Sequence, residues 1–140
     1  MFEMQSGLLW IGNANDVRQP EAVFDAEIVA VVDVAMEEPV VNIPRQLTYC
    51  RFPLNDGGGN ELRILRQAIS TVADFIQSET RTLVACSAGM SRSPTVAAFA
   101  LGLCFGEKPE EIINRIAGRK ALQLHPLLWA DMQKAYDTLA

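Results

Sequence analysis

Residues 83–94 read Leu-Val-Ala-Cys-Ser-Ala-Gly-Met-Ser-Arg-Ser-Pro. An apolar strand over Thr82–Cys86 delivers a cysteine into a tight loop of small residues, and a helix is expected from about Arg92. That order suits a tetrahedral anion. Backbone N–H groups of Ser87, Ala88, Gly89, Met90 and Ser91 can point inward and wrap it. Gly89 supplies the backbone freedom such a turn requires. The helix N-terminus adds positive partial charge. Arg92, six residues after Cys86, can close over the anion with two parallel hydrogen bonds. The same field favours the thiolate of Cys86, the form that attacks. Ser93 follows the arginine and can offer its hydroxyl to the sulfur. Pro94 needs no N–H partner in a first helical turn.

Working outward, three further segments read as strands. Leu8–Ile11 is closed by Gly12-Asn13. Ile28–Val34 is almost wholly apolar, as in a strand covered on both faces. Leu47–Phe52 precedes Pro53. Helical patterns separate them. Asn15–Phe24 reads as one short helix. Asn60 reads as the cap of a longer one, with Ile64, Leu65, Ala68, Ile69, Val72, Ala73 and Ile76 on a single face. Pro94–Phe105 is apolar all round and reads as a central buried helix. Pro109 opens a helix that ends near Gly118, and Pro126 opens the last. Alternating strands and helices predict an α/β fold: one domain over 1–140, with a central, mostly parallel sheet of about four to five strands flanked by helices. Ligands in such folds sit at the carboxyl ends of strands. Cys86 and the loop after Phe52 both lie there.

The chain has 140 residues, 49% hydrophobic and 21% charged, an ordinary balance for one core. Its net charge of −5 argues against nucleic-acid or anionic-membrane partners, which need a basic face. It leaves room for an anionic substrate in a locally positive pocket. Three cysteines, Cys50, Cys86 and Cys104, make a poor disulfide framework. No C-x-x-C pair occurs, and a single histidine, His125, does not fit the common zinc arrangements, so no metal and no cofactor is expected. The first residues lack a basic n-region and a long apolar run, so neither signal peptide nor membrane span is expected, and a reducing cytoplasm is the default. Nothing in the sequence sets an oligomeric state.

The run Cys86-Ser87-Ala88-Gly89-Met90-Ser91-Arg92-Ser93 resembles the Cys-x5-Arg-Ser signature of the dual-specificity protein phosphatases, within the protein tyrosine phosphatase superfamily. Supporting likenesses run along nearly the whole chain. Gly7–Gly12 resembles the family's opening strand, Ala26–Ala35 its hydrophobic strand, Pro53-Leu54-Asn55-Asp56 its general-acid loop, and Arg119-Lys120-Ala121 with the Pro126 helix its closing segment. The resemblance implies a protein tyrosine phosphatase-like fold. It implies hydrolysis of phosphotyrosine, and of phosphoserine or phosphothreonine, through a phosphocysteine intermediate without a metal. Cys86 is then the nucleophile, Arg92 the phosphate clamp, Asp56 the general acid and Ser93 the helper of the departing thiolate. The substrate is a phosphorylated protein or a small phosphoester. Gly57-Gly58-Gly59 would let the acid loop move.

The sequence departs from the family at Ala85, where members usually carry a histidine whose hydrogen bonds order the loop. Alanine forms none, so a looser loop is expected, with a lower rate or an activity profile displaced to higher pH. Two alternatives stand beside the leading one. One is a phosphatase of a lipid, nucleotide or sugar phosphate, which the neutral Ser87, Ala88, Met90 and Ser91 weigh against. The other is a phosphate-binding pseudophosphatase, which the intact Cys86, Arg92, Asp56 and Ser93 oppose. Cys50 and Cys104 read as core thiols, with a reversible Cys104–Cys86 disulfide as the minor reading. His125 reads as a cap at a turn, Asp33 as a strand-end hydrogen-bonding group, and Arg119 and Lys120 as a solvated turn.

Overall fold

Hydrophobic alternation on the strands sets the layers. In β5 (Thr82–Ala85), Val84 and the following Cys86 join the larger apolar core, while Leu83 and Ala85 join a smaller one on the opposite face. This is the period of two expected of a pleated strand. The computed structural model describes residues 1–140. Besides β5 it contains β1 (Phe2–Gln5), β2 (Leu9–Gly12), α1 (Ala14–Arg18), α2 (Glu21–Asp25), β3 (Ala30–Ala35) and β4 (Thr48–Leu54). The longer helices are α3 (Leu62–Gln77), α4 (Arg92–Phe105), α5 (Pro109–Ala117) and α6 (Pro126–Asp137). The five strands form one sheet in the order β1-β2-β5-β3-β4, parallel throughout except for the β1–β2 pair. The expected single α/β domain with a mostly parallel sheet is what is found.

The larger core lies under α3, α4, α5 and α6. The smaller, built on Trp10, Val31 and Leu83, lies under α1 and α2. Helix α4 is buried from Arg92 to Gly102, which accounts for its lack of a polar face. Phe99 sits at its centre against Trp129 and Tyr136, with ring centroids 4.7 and 5.3 Å away. The α3 stripe is as expected, except that Ile64 is only partly buried.

Three local expectations need correction, and one strand is additional. The single helix over Asn15–Phe24 is two short helices, broken at Gln19 (φ −120°, ψ 82°) and Pro20. Proline offers no N–H and pushes the preceding residue out of helical geometry. Asn60 does not cap α3. Glu61 holds that position without a side-chain cap bond, and Asn60 instead brackets the loop before it. The strand expected over Leu47–Phe52 continues through Pro53 to Leu54, which an edge strand tolerates. The antiparallel strand β1 carries too short an alternation to stand out: Met4 is buried, Phe2 only half-buried. No helix is long and apolar enough to cross a membrane.

Register sets the site. Gly12 of β2 and Asp33 of β3 both pair with Ala85 of β5, so β2 and β5 end on one row and β3 ends two residues beyond it. Asn13, the Cys86 loop, the Met36–Glu38 turn and Asp56 therefore leave the sheet at the same edge, where α/β folds bind ligands.

Candidate active site

Cys86 is 2% exposed, at the floor of the loop that joins β5 to α4. The Gly89 N–H donates to its Sγ at 3.2 Å, and Ser93 Oγ lies 3.3 Å from the same sulfur. The loop is pinned from outside by backbone bonds. Cys86 N–H donates to Gly12 O at 3.2 Å, Ala14 N–H to Ser87 O at 3.2 Å and Gln123 N–H to Met90 O at 2.9 Å. Gly89 has φ +72°, and a Cβ there would meet the Gly12 carbonyl carbon and oxygen at 3.0 Å. Only glycine fits this crossing. Ala85 faces the smaller core at 1% exposure beside Val17 and Trp10. A histidine at 85 would have to bury a polar ring among apolar groups.

Arg92 is 4% exposed. Its Nη1 donates to Leu54 O at 2.8 Å and to Glu37 Oε1 at 2.6 Å, while Nη2 donates to Glu37 Oε2 at 2.7 Å and to Ser87 Oγ at 3.2 Å. No buried side-chain nitrogen or oxygen lacks a partner. These four Arg92 contacts engage the Nη hydrogens, so the Nε–H is the one donor left over, and a two-bond grip on an anion requires Glu37 to yield its place. Burial works against the Arg92 charge, but the Glu37 hydrogen bonds and charge outweigh it and the pKa is raised. Reciprocally, the hydrogen bonds from Arg92 outweigh desolvation at Glu37 and hold its carboxyl at about 2. Glu38 accepts from Ser87 Oγ at 2.9 Å and pairs with Arg18.

Asp56 reaches the same pocket from the end of β4. Its Oδ1 accepts a 2.6 Å hydrogen bond from Ser91 Oγ. Asn60 holds the loop's shape by accepting from Asn55 N–H at 3.0 Å and donating to the carbonyls of Asn55 and Gly57. Helix α6 holds it from outside, where Asp131 Oδ2 accepts from Gly59 N–H at 3.1 Å. Cys86, Arg92, Asp56, Ser87, Ala88, Met90 and Ser91 thus share one pocket of about 260 Å³, together with Glu37 and Gln123. Gly89 and Ser93 lie behind it, against the sulfur.

Glu37, Glu38 and Gln123 escaped the sequence reading. Glu37-Glu38-Pro39 follows the carboxyl end of β3, but only the register of β3 beside β5 brings it to the Cys86 loop. His125 caps α6 as expected, its side chain accepting from Leu127 N–H. Asp33 accepts from Ala35 N–H at 3.0 Å and from Tyr49 OH at 2.6 Å. Cys50 and Cys104 pack partly buried against the larger core, and burial raises both thiol pKa values. Arg119 stacks over the Phe2 ring at 5.5 Å. No group of three or more histidine, cysteine, aspartate or glutamate side chains is placed to hold a metal.

No curated protein sequence matches the chain. Among solved structures it is similar to human DUSP28, with a TM-score of 0.84 at 20% identity over 99% of this chain and 97% of that one. It is also similar to a mouse putative dual specificity phosphatase complexed with zinc tungstate, with a TM-score of 0.82 at 25% identity over 97% and 86% of the two chains. PTPMT1 in complex with PI(5)P aligns with a TM-score of 0.72 at 19% identity over 96% and 93%. The family model of the dual specificity phosphatase catalytic domain matches residues 9–101. With that match over most of its length, the chain belongs to the dual-specificity phosphatase family.

Proposed function

We propose that the protein hydrolyses phosphotyrosine, and phosphoserine or phosphothreonine, on protein substrates through a phosphocysteine intermediate. The observation that carries this reading is the convergence of Cys86, Arg92 and Asp56 on one pocket. The Cys86 thiolate attacks phosphorus, forming the S–P bond as the P–O bond to the leaving group breaks. Asp56 delivers the proton that the departing oxygen needs. Arg92 spreads its charge over the equatorial oxygens through Nε, and through Nη2 once Glu37 gives way. Asp56 then takes a proton from water, the resulting hydroxide attacks phosphorus, and the thiolate leaves with the Ser93 hydroxyl turned to it.

The pocket's charge supports a monoester on a protein over a polyanionic head group. Arg92 is the one cation among its lining residues, beside the carboxylates of Glu37 and Asp56. The complex of PTPMT1 with PI(5)P motivates the lipid alternative. The test is a comparison of kcat/KM for phosphotyrosine, phosphoserine and phosphothreonine peptides and for phosphoinositides, with Cys86→Ser as control. The reading requires Cys86-dependent turnover that is fastest on phosphotyrosine peptide. Faster turnover of a phosphoinositide transfers the assignment to lipid substrates. Phosphate binding without turnover makes the protein a binding module.

A further inference from the structure

The hydroxyl of Ser91 does something its position in the fold does not ask of it. Ser91 occupies the N-cap of α4, where a serine hydroxyl ordinarily accepts from a backbone N–H of the first turn. It makes no such bond. The side chain is instead held between two partners from elsewhere in the chain. The His125 N–H donates to Ser91 Oγ at 3.0 Å, and Ser91 Oγ lies 2.6 Å from Asp56 Oδ1.

The two contacts divide the lone pairs and the proton of the hydroxyl between them. A backbone N–H can only donate, so it takes one of the two lone pairs of Oγ, and Asp56 Oδ1 is the one acceptor within reach of the serine proton. Asp56 Oδ1 is therefore an acceptor, and the carboxyl proton is left to Oδ2. Ser91 is 7% exposed, whereas Asp56 is exposed on the pocket side, so the serine anchors the carboxyl from the protein side. It is backed by α6, whose Asp131 holds Gly59 of the same loop.

We infer that Ser91 is a positioning residue for the acid: its hydroxyl aims Asp56 and selects Oδ2 as the oxygen that carries the proton to the leaving group. This deepens the phosphatase reading and rests on it. When Asp56 protonates the leaving oxygen, Ser91 keeps Oδ1 occupied. When Asp56 next acts as base toward water, the donated hydrogen bond suits the ionised carboxylate. The Ser91 hydroxyl is spent on this relay, so its contribution to phosphate binding is through its backbone N–H alone.

The role is separable from phosphate binding, because a proton donor matters in proportion to how badly the leaving group needs one. The experiment measures kcat/KM of wild type, Ser91→Ala, Ser91→Thr, Asp56→Asn and the Ser91→Ala/Asp56→Asn double variant on phenyl phosphate and dinitrophenyl phosphate. Thermal melts are run in parallel. Expected for Ser91→Ala is a loss of about tenfold or more on phenyl phosphate and less than about twofold on dinitrophenyl phosphate. Ser91→Thr keeps a hydroxyl and should recover most of the loss. The double variant should be no slower than Asp56→Asn, since the serine acts only through the aspartate. Equal losses on both esters, or an additive double variant, would overturn the inference and leave Cys86 chemistry intact. Absence of Cys86-dependent turnover in wild type removes the phosphatase reading itself, and the role of Ser91 with it.

Discussion

The Arg92 side chain is 5% exposed while its partner Glu37 is 55% exposed, an asymmetry with consequences for both. The two parallel hydrogen bonds that Arg92 donates to the Glu37 carboxylate orient the guanidinium before substrate arrives, which lowers the cost of ordering it later. Glu37→Gln should therefore lower kcat/KM on a small aryl phosphate on the order of tenfold, without affecting the dependence on leaving group. A rise in activity would instead mark Glu37 as a self-inhibitor of the clamp. The pair also links stability to pH. The folded-state pKa of Glu37, about 2, lies below its ordinary 4.5. Its contribution is present above the ordinary value and is lost as pH falls toward 2. Urea midpoints of wild type and Glu37→Gln should differ at pH 7, and the gap should close as the pH is lowered through that window. Gly89 offers a second test at this scale. With φ +72° and the Gly12 carbonyl 3.0 Å from a would-be Cβ, Gly89→Ala should cost about 1–3 kcal/mol. It should also displace the N–H that points at Cys86. Chemical denaturation and aryl phosphate turnover read the two effects separately.

Among the elements, what could be read from sequence was what is local. The strand, loop and helix over Thr82–Phe105 declare themselves through one apolar run, one glycine-bearing turn and one buried helix, all contiguous. Asp56 could be placed because Pro53-Leu54-Asn55-Asp56 resembles the family's general-acid loop. Glu37 could not, because its meaning depends on β3 and β5 lying side by side, and the register that aligns Asp33 with Ala85 is a property of the sheet. Asn60 misled for a similar reason. Its side chain satisfies the carbonyls of Asn55 and Gly57, a tertiary demand that overrides capping preference. The same holds for Ser91, whose hydroxyl leaves the N-cap for Asp56. Helix α4 bears the energetic weight of the site it starts. Phe99 is fully buried against Trp129 and Tyr136. Phe99→Ala should destabilise by about 3–5 kcal/mol, a large part of the roughly 5–15 kcal/mol typical of a domain. A small shift in the urea midpoint would show that the core can close around the gap.

Over the whole molecule, the charge distribution bears on substrate choice. The net charge is −5, and Glu37 and Glu38 stand next to the phosphate loop. On the proposed reading a phosphate is drawn in by one buried cation, while the acidic surroundings repel further anions. A phosphotyrosine peptide with arginines flanking the phosphoresidue should show higher kcat/KM than one with flanking glutamates. The difference should shrink as salt rises from low to physiological strength. Insensitivity to flanking charge would place recognition in the pocket alone.

The central claim is that Cys86 forms a covalent bond to phosphorus. Acid quench of the enzyme during turnover of an aryl phosphate, followed by mass spectrometry of the peptide containing Cys86, tests it most directly. The account predicts a phosphocysteine at Cys86 in wild type, more of it in Asp56→Asn with an activated ester, where hydrolysis of the intermediate is slowed, and none in Cys86→Ser. Turnover that persists in Cys86→Ser, or that proceeds without phosphate ever appearing on Cys86, would contradict it.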